Sequence, residues 1–512
     1  MVLLLTVALV MPGCGKKTEP APGPQPEPDF TLVVGLAASI LTLDPANHRD
    51  RYTETVIRNM YDGLVTRKTD GTVVPEIAES WSNPEPTVWE FKIRQGVKFH
   101  DGSDLTVEDV KFTFDRIINE GAMEGETSPR KGLLGPLQSV EIADSNTVRF
   151  ILKEPWPILL NMLPHQQIVS KAYVESVGKD IAGKPMGAGP FKFVEGSIDE
   201  RIVLERFEDY YGGSPDIPPV GRAPAKRVVF EFIPELATRI AALQAGNVDI
   251  INDIPPSMVS QLEADRNINV KMVDGTRMHM FEMNVNMAPF NDVRVRRAVN
   301  YAIDMDEIIR EVLMGYATVA AGPLLPHGFA LDPGLKPYGH DPVKAKALLA
   351  DAGYPNGFAV VIDTIDALKD VAQAAAGQLR EVGIDATVRV WDWGVLKPQL
   401  DDGQRAMVFS TWGNSTMDPS DLLEPKLRTK DRGNFSHYAN PELDAILNEA
   451  VIKTNREERK QLYFRAQKII FEDAPWVFGY VRQEIEASRS NIENWSPSTD
   501  SRLNMHRVRK VN

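Results

Sequence analysis

Between Met407 and Asp421 the chain reads M-V-F-S-T-W-G-N-S-T-M-D-P-S-D, an apolar run that turns at Trp412 into a loop of amide, hydroxyl and carboxylate side chains. The first half suits a short buried strand. A buried strand that delivers an aromatic plate and several hydrogen-bonding groups to one spot is how rigid scaffolds present small-molecule sites. A competing reading makes Asp418-Pro419-Ser420-Asp421 simply the cap of a following helix, and Trp412 core. Catalytic and metal chemistry finds less support. The eight histidines, at 48, 100, 165, 279, 327, 340, 437 and 506, are scattered with no i, i+4 pair, and Cys14 is the only cysteine, so no zinc-type spacing is present. No nucleophile elbow, P-loop or dinucleotide glycine motif occurs. The turn Gly187-x-Gly189-Pro190 lacks a backbone donor where a phosphate cradle needs one, because proline has no N–H. The carboxylate pairs Asp401-Asp402 and Asp418/Asp421 fit acid–base work, capping or simple solvation. No catalytic residue, metal or cofactor is expected.

The elements that must position such a loop follow from length and pattern. A chain of 512 residues exceeds one hydrophobic core, so two or three lobes are expected. A net charge of −14 without a long basic run argues against nucleic acid as partner. Val2–Met11 is apolar apart from Thr6 and is too short to span a membrane. With Pro12-Gly13-Cys14 after it, the start resembles a bacterial lipoprotein signal over residues 1–14, in which Cys14 becomes the lipid-bearing N-terminus. Met11 and Pro12 replace the usual residues, and no basic stretch precedes the run; an ordinary cleaved signal is the alternative. In the segment 15–29, five prolines alternate through T-E-P-A-P-G-P-Q-P-E-P-D, which reads as an extended polyproline tether.

Strand and helix periods alternate through the body. Phe30–Leu36 reads as a strand, and Val88–Arg94 as one with Trp89, Phe91 and Ile93 on one face. Thr106 and Asp109 form a near capping box before a stripe of Val110, Phe114, Ile117 and Ile118. Thr55–Leu64 is expected to be helical. Asp341-Pro342 opens a helix packing Ala345, Leu348, Leu349 and Ala352, and Gly353 ends it. Val371, Ala375, Leu379 and Val382 form another stripe closed by Gly383, and Ile384–Trp391 alternates with Ile384, Ala386, Val388 and Val390 inward. Leu462, Ala466, Ile469 and Ile470 repeat the helical spacing. The alternation indicates α/β lobes.

Six of these stretches, in order, resemble family 5 extracellular solute-binding proteins, the receptors of peptide- and nickel-type ABC importers. They are P-E-I-A-E-S-W with the segment from Gly96 to Arg116, then Gly187–Phe193, Arg239–Ile250, Pro289–Asp304, Asp341–Phe358 and Tyr463–Pro475. The resemblance implies a two-lobed periplasmic-binding-protein fold, a hinged clamshell with an inserted extra domain. Lobe I is expected from 30–52, 176–271 and 482–512, the extra domain from 53–175 and lobe II from 272–481. Hinge segments are expected near 272–286 and 475–481.

The resemblance further implies a cavity between the lobes, occupied by a peptide or peptide-like solute that is handed to permease subunits. The protein is expected to be a monomer held at the outer face of the membrane. Trp412 would stack on the ligand, with Asn414, Ser415, Thr416 and Asp418 around it; Asn47, His48 and Arg49 would line the opposite wall. Met278 and Met280 suit either a soft ligand wall or core. In peptide-binding members an aspartate three residues after the tryptophan pairs with the ligand ammonium, and here that position is Ser415. An arginine near the long helix of lobe II holds the ligand carboxylate of dipeptides, whereas Asp363–Asp370 contains only Lys369. An uncompensated buried charge costs several kcal/mol, so a simple dipeptide is disfavoured. A longer or modified peptide, an opine-like conjugate, an oligosaccharide or a chelated metal remains open. An exported hydrolase using Asp418 or Asp421 is the reading from another class.

Overall fold

The structure, a computed structural model, describes residues 29–68 and 70–511. The signal at 1–14 with Cys14, and the tether up to residue 28, lie outside the described residues. An eleven-stranded sheet runs through the molecule. Its strands are β1 (Thr31–Leu36), β2 (Phe191–Ser197), β3 (Arg201–Arg206), β4 (Arg227–Phe232), β5 (Ile250–Ile251), β6 (Ile268–Met283), β7 (Ala317–Val319), β8 (Ala359–Ile365), β9 (Asp385–Trp391), β10 (Met407–Gly413) and β11 (Trp476–Arg489). The spatial order is β9-β8-β10-β6-β11-β5-β1-β4-β3-β2, with β7 pairing on β11.

Two strands are far longer than the rest. Antiparallel β6 and β11 pair from Ile268↔Arg489 to Glu282↔Trp476. One half of this ladder joins β5, β1 and β4, and the other joins β10, β8 and β9. The sheet therefore serves two lobes, and the expected α/β clamshell architecture is present. Lobe I packs Leu32, Val34, Phe191, Leu204, Val228 and Phe230 on one face and Leu243, Val248, Val259 and Leu262 on the other. Lobe II has its own pair of cores, around Phe281, Phe409 and Leu379 and around Met278, Met280 and Tyr463. Met278 and Met280 are thus core residues.

A separate four-stranded antiparallel sheet, Ala78–Glu85, Val88–Ile93, Thr147–Leu152 and Leu137–Asp144 in spatial order, forms the extra domain. Trp89, Phe91 and Ile93 face its core as their alternation requires. The helix Val107–Ile118 begins in the Thr106/Asp109 capping box and lays Val110, Phe114, Ile117 and Ile118 on that core. Phe114 and Phe91 both meet Phe150 edge-on, at 4.7 and 4.9 Å between ring centroids, a favoured aromatic geometry.

Two expectations are corrected. The helix expected over Thr55–Leu64 spans Arg51–Ile57, because the Asp50 carboxylate accepts from the Thr53 N–H at 2.7 Å and caps it earlier. Val56, Ile57, Met60 and Tyr61 then pack in the core of lobe I, whereas Leu64 and Val65 join that of the extra domain. Ile384, just before β9, and Ala386 within it are buried as expected, but Val390 is 44 % exposed. That strand is the sheet edge, and its far end outruns the helix Lys369–Glu381 that covers its start. Gly383, at φ +96°, supplies the left-handed turn between that helix and β9.

Truncating Phe114 to alanine removes the ring that ties the helix to the sheet. It should destabilise the extra domain by about 3–5 kcal/mol, read as an early transition in urea unfolding followed by near-ultraviolet circular dichroism; a loss under about 1 kcal/mol would contradict this packing.

Candidate functional site

The loop after β10 is shaped by its own side chains. Its backbone enters through Asn414 N–H donating to the Thr276 carbonyl at 2.8 Å, beside the long strand β6. The Asn414 amide donates to the Asp418 carbonyl at 3.0 Å, and Thr416 Oγ1 donates to Asn414 Oδ1 at 3.1 Å while accepting from the Asp418 N–H. Asp418 is buried and forms a two-pronged ion pair with Arg459, at 2.5 and 2.7 Å, and also accepts from Ser420. Although burial opposes its charge, Arg459 and these hydrogen bonds hold its carboxyl below the usual range. Asn414 and Thr416 are therefore committed within the loop, and Asp418 to Arg459, with which it lines the cavity beside the extra domain. Only the Ser415 hydroxyl has no partner among the described residues.

Trp412 ends the strand on the face of Met278, its ladder partner. Its indole N–H donates to the Asp421 carbonyl at 2.8 Å. Arg432 and Lys426 stand 4.8 and 5.4 Å from the ring centroid, within cation–π range. Lys426 is itself fully buried and paired with Glu282 at 2.7 Å. A methyl at Gly433 would come within 2.8 Å of the indole, so the ring needs a glycine there. Trp412 remains half-buried.

Opposite the loop stands the extra domain. Arg67 donates to the Ser415 carbonyl at 2.7 Å and Asn161 to the Thr416 carbonyl at 2.9 Å, while Met417 Sδ lies 3.9 Å from Thr499 Oγ1. Burial lowers the Arg67 guanidinium to about 10. Beside this contact opens a cavity of about 670 Å³, between Trp81, Trp89 and Asn161 of the extra domain and His327, Phe329 and Met417 of lobe II. Its volume is in the range of small-molecule sites, and its lining mixes these aromatic rings with charged side chains, among them Asp70, Asp418, Arg456 and Arg459. The Trp89 indole nitrogen and both His327 ring nitrogens are buried without a partner among the described residues. Arg456 lies 4.2 Å over the Phe329 ring at the rim.

Asn47, His48 and Arg49 are not brought to this place. Asn47 is exposed and lines a separate pocket with Phe112 and Arg116. His48 is buried between the Asp50 carbonyl and Arg130, each at 3.2 Å, and burial lowers it to about 4, so it is neutral. Arg49 is exposed. Nor does the segment after β8 offer a cation: Asp363 is held by Arg389 and by the Trp391 indole, both at 2.7 Å, and Lys369 pairs with Asp366 on the surface. Among the described residues, no cluster of His, Cys, Asp and Glu could hold a metal, and no helix is long and apolar enough to cross a membrane.

Sequence reasoning missed Arg67, Asn161, Trp81, His327 and Arg456 as wall residues. Only Trp81, inside P-E-I-A-E-S-W, stood in a noted motif. The others carry no local signal, since the chain positions that meet are 255 and 348 residues apart.

Residues 72–434 match the bacterial extracellular solute-binding proteins, family 5 Middle. The chain belongs to family 5 of these proteins. It is 32% identical over 451 residues to "Heme-binding protein A" of Haemophilus influenzae, covering 82% of this chain and 81% of that one. It is 29% identical over 477 residues to "Glutathione-binding protein GsiB" of Escherichia coli (strain K12), covering 90% and 91%. The solved structure of periplasmic binding protein DppA from Helicobacter pylori in complex with the peptide STSA superposes with a TM-score of 0.74, at 29% identity over 94% of this chain and 98% of that one. This family 5 protein is a binding receptor and not an enzyme, and it acts outside the cytoplasm.

Two measurements probe the site's architecture. Replacing Asp418 with Asn strands Arg459 in a buried setting and should cost about 3–5 kcal/mol of stability, read by urea denaturation; a cost below about 1 kcal/mol would show that the pair is not needed for the loop. Near Arg67, the carboxyls of Asp62 and Glu76 are raised to about 6 and about 8, Asp62 by burial and Glu76 by burial together with the charge of Asp62. Both take up protons more readily folded than unfolded, where values near about 4 apply. The stability they contribute is complete below about pH 4 and is lost as pH rises through about 8. Glu76→Gln should flatten the fall in melting temperature between pH 5 and 8, relative to the parent; an unchanged slope would contradict the shared burial.

Proposed function

We propose that this receptor is the substrate-binding component of an ABC importer, capturing a peptide or peptide-like solute between its lobes and delivering it to permease subunits. The observation that supports this best is the cavity between the extra domain and lobe II, walled by Trp81, Trp89 and Phe329 with unpartnered nitrogens on Trp89 and His327. Aromatic plates with a few unsatisfied donors suit a solute of mixed apolar and amide character. From the loop it is Met417 and Asp418 that line this cavity, while Trp412 and Ser415 stand outside its lining. The relatives named for heme, glutathione and a bound peptide are compatible with a solute of this size and class.

Bending at the hinge segments 272–286 and 475–481 closes the cleft in this reading. The shift of register in β6 between Asp274 and Met278 is a natural pivot, since a bulge interrupts an otherwise continuous ladder. The boundary between lobe I and the extra domain is placed between Tyr61 and Leu64, where the chain leaves one core for the other. Cys14 is the lipid anchor, residues 15–29 the spacer, and the receptor works as a monomer at the outer face of the membrane.

A free dipeptide is not the solute. Ser415 offers a hydroxyl where an ammonium needs a carboxylate, and the segment after β8 has no unpaired cation for the carboxylate end. Leaving the ammonium unpaired on burial costs several kcal/mol, about a hundredfold or more in affinity. Calorimetric titration with dipeptides, longer peptides, glutathione and heme should find unmodified dipeptides bound at least about a hundredfold more weakly than the best member. Tight binding of an unmodified dipeptide would overturn this assignment.

A further inference from the structure

Where the two long strands meet lobe I, the bulge in β6 lies beside a group of arginines. Asp274 pairs with Gln483 and Met278 with Val481, so Gly275, Thr276 and Arg277 together face Arg482. Bulges of this kind re-aim side chains beside binding sites. The resulting pocket, about 300 Å³, is lined by Arg277, Arg482 and His279 from the two long strands and by Arg51, Asp253 and Ile254 from lobe I.

The charges do not cancel. Arg51 takes both carboxylates, Asp253 at 2.8 Å and Glu484 at 3.6 Å. Arg277 donates to Thr411 Oγ1 at 3.1 Å, and neither it nor Arg482 has a carboxylate within 4.0 Å among the described residues. His279 lies flat on Tyr480, with centroids 4.4 Å apart, and burial lowers it to about 3, so it adds no charge. Arg277 and Arg482 thus make no direct ion pair and meet Glu484 only at longer range, so the pocket's three arginines exceed its two carboxylates by one; both are exposed residues lining the pocket. The Arg277 guanidinium also lies 3.6 Å from the point a Gly413 Cβ would occupy, at the head of the loop whose Ser415 lacks a carboxylate. The loop's charged neighbour is therefore a cation.

We propose that Arg277 and Arg482 form a carboxylate-binding subsite at the hinge, so that the solute carried by this receptor is an anionic, peptide-like molecule. The proposal rests on the receptor reading above and adds the sign of the ligand's charge. Guanidinium forks match carboxylate geometry with paired hydrogen bonds. An anion seated here touches lobe I through Arg51 and the shared ladder through the other two arginines, and so joins ligand capture to the pivot.

The test is calorimetric titration of the ligand-stripped protein with glutathione, its dimethyl ester and N-acetyl-trialanine amide, against the parent and the variants R277Q and R482Q. Both arginines are exposed, so the variants should keep the parent's circular dichroism and melting temperature. Glutathione should bind the parent, at least about tenfold more weakly to each variant, and the ester should bind poorly to all. Equal binding of glutathione to parent and variants, or of ester and acid to the parent, would overturn the subsite. If the neutral amide binds every form alike and glutathione binds none, the receptor reading stands and this one falls. If none of the three binds, both fall.

Discussion

Everything in this molecule hangs on one ladder of hydrogen bonds. Strands β6 and β11 run antiparallel from lobe I into lobe II, and the other strands of the large sheet are attached to one end or the other of that pair, except β7, which pairs with β11 at Tyr480–Arg482. Two lobes joined this way cannot separate without breaking backbone hydrogen bonds in a buried setting, which is costly. They can bend where the ladder is already interrupted. That interruption lies between Asp274 and Met278, directly beside the pocket of Arg51, Arg277 and Arg482 and one strand away from Trp412. In the proposed reading, ligand contact and hinge are built from the same few residues.

The second constraint is burial of charge. Asp418–Arg459 and Glu282–Lys426 are both buried pairs in lobe II, and each leaves one element no freedom to move. Such pairs add little net stability, but breaking one is expensive. Here they hold the loop at 414–418 and the plate of Trp412. The loop presents its carbonyls to Arg67 and Asn161 and leaves one hydroxyl, that of Ser415, without a partner among the described residues.

How much of this was legible in the sequence depends on range. Periodicity placed the strand with Trp89, Phe91 and Ile93, the capping box at Thr106, and the stripe of Val371, Ala375 and Leu379, because local apolar spacing is set by the geometry of the element itself. It missed Val390, since exposure at a sheet edge depends on a helix elsewhere. The position of Trp412 at the end of a strand, before a polar loop, was readable. The roles of the loop's polar side chains were not. Asp418 reads as a ligand residue and does line the cavity, but as the ion-pair partner of Arg459, 41 residues on; His48 looked like a wall residue and is buried beside Arg130. The hinge arginines left no mark at all, because a bulge is a property of two strands in register.

The central claim is that the cleft retains a small solute without transforming it. Native mass spectrometry of the protein, purified under mild conditions and then denatured, measures this directly. A single non-covalent adduct, one per chain, released intact on denaturation and returning the protein to its unmodified mass, is the result this account predicts. A chain that carries no adduct and gains none from peptides, glutathione or heme, or one that releases a cleaved product, would contradict it.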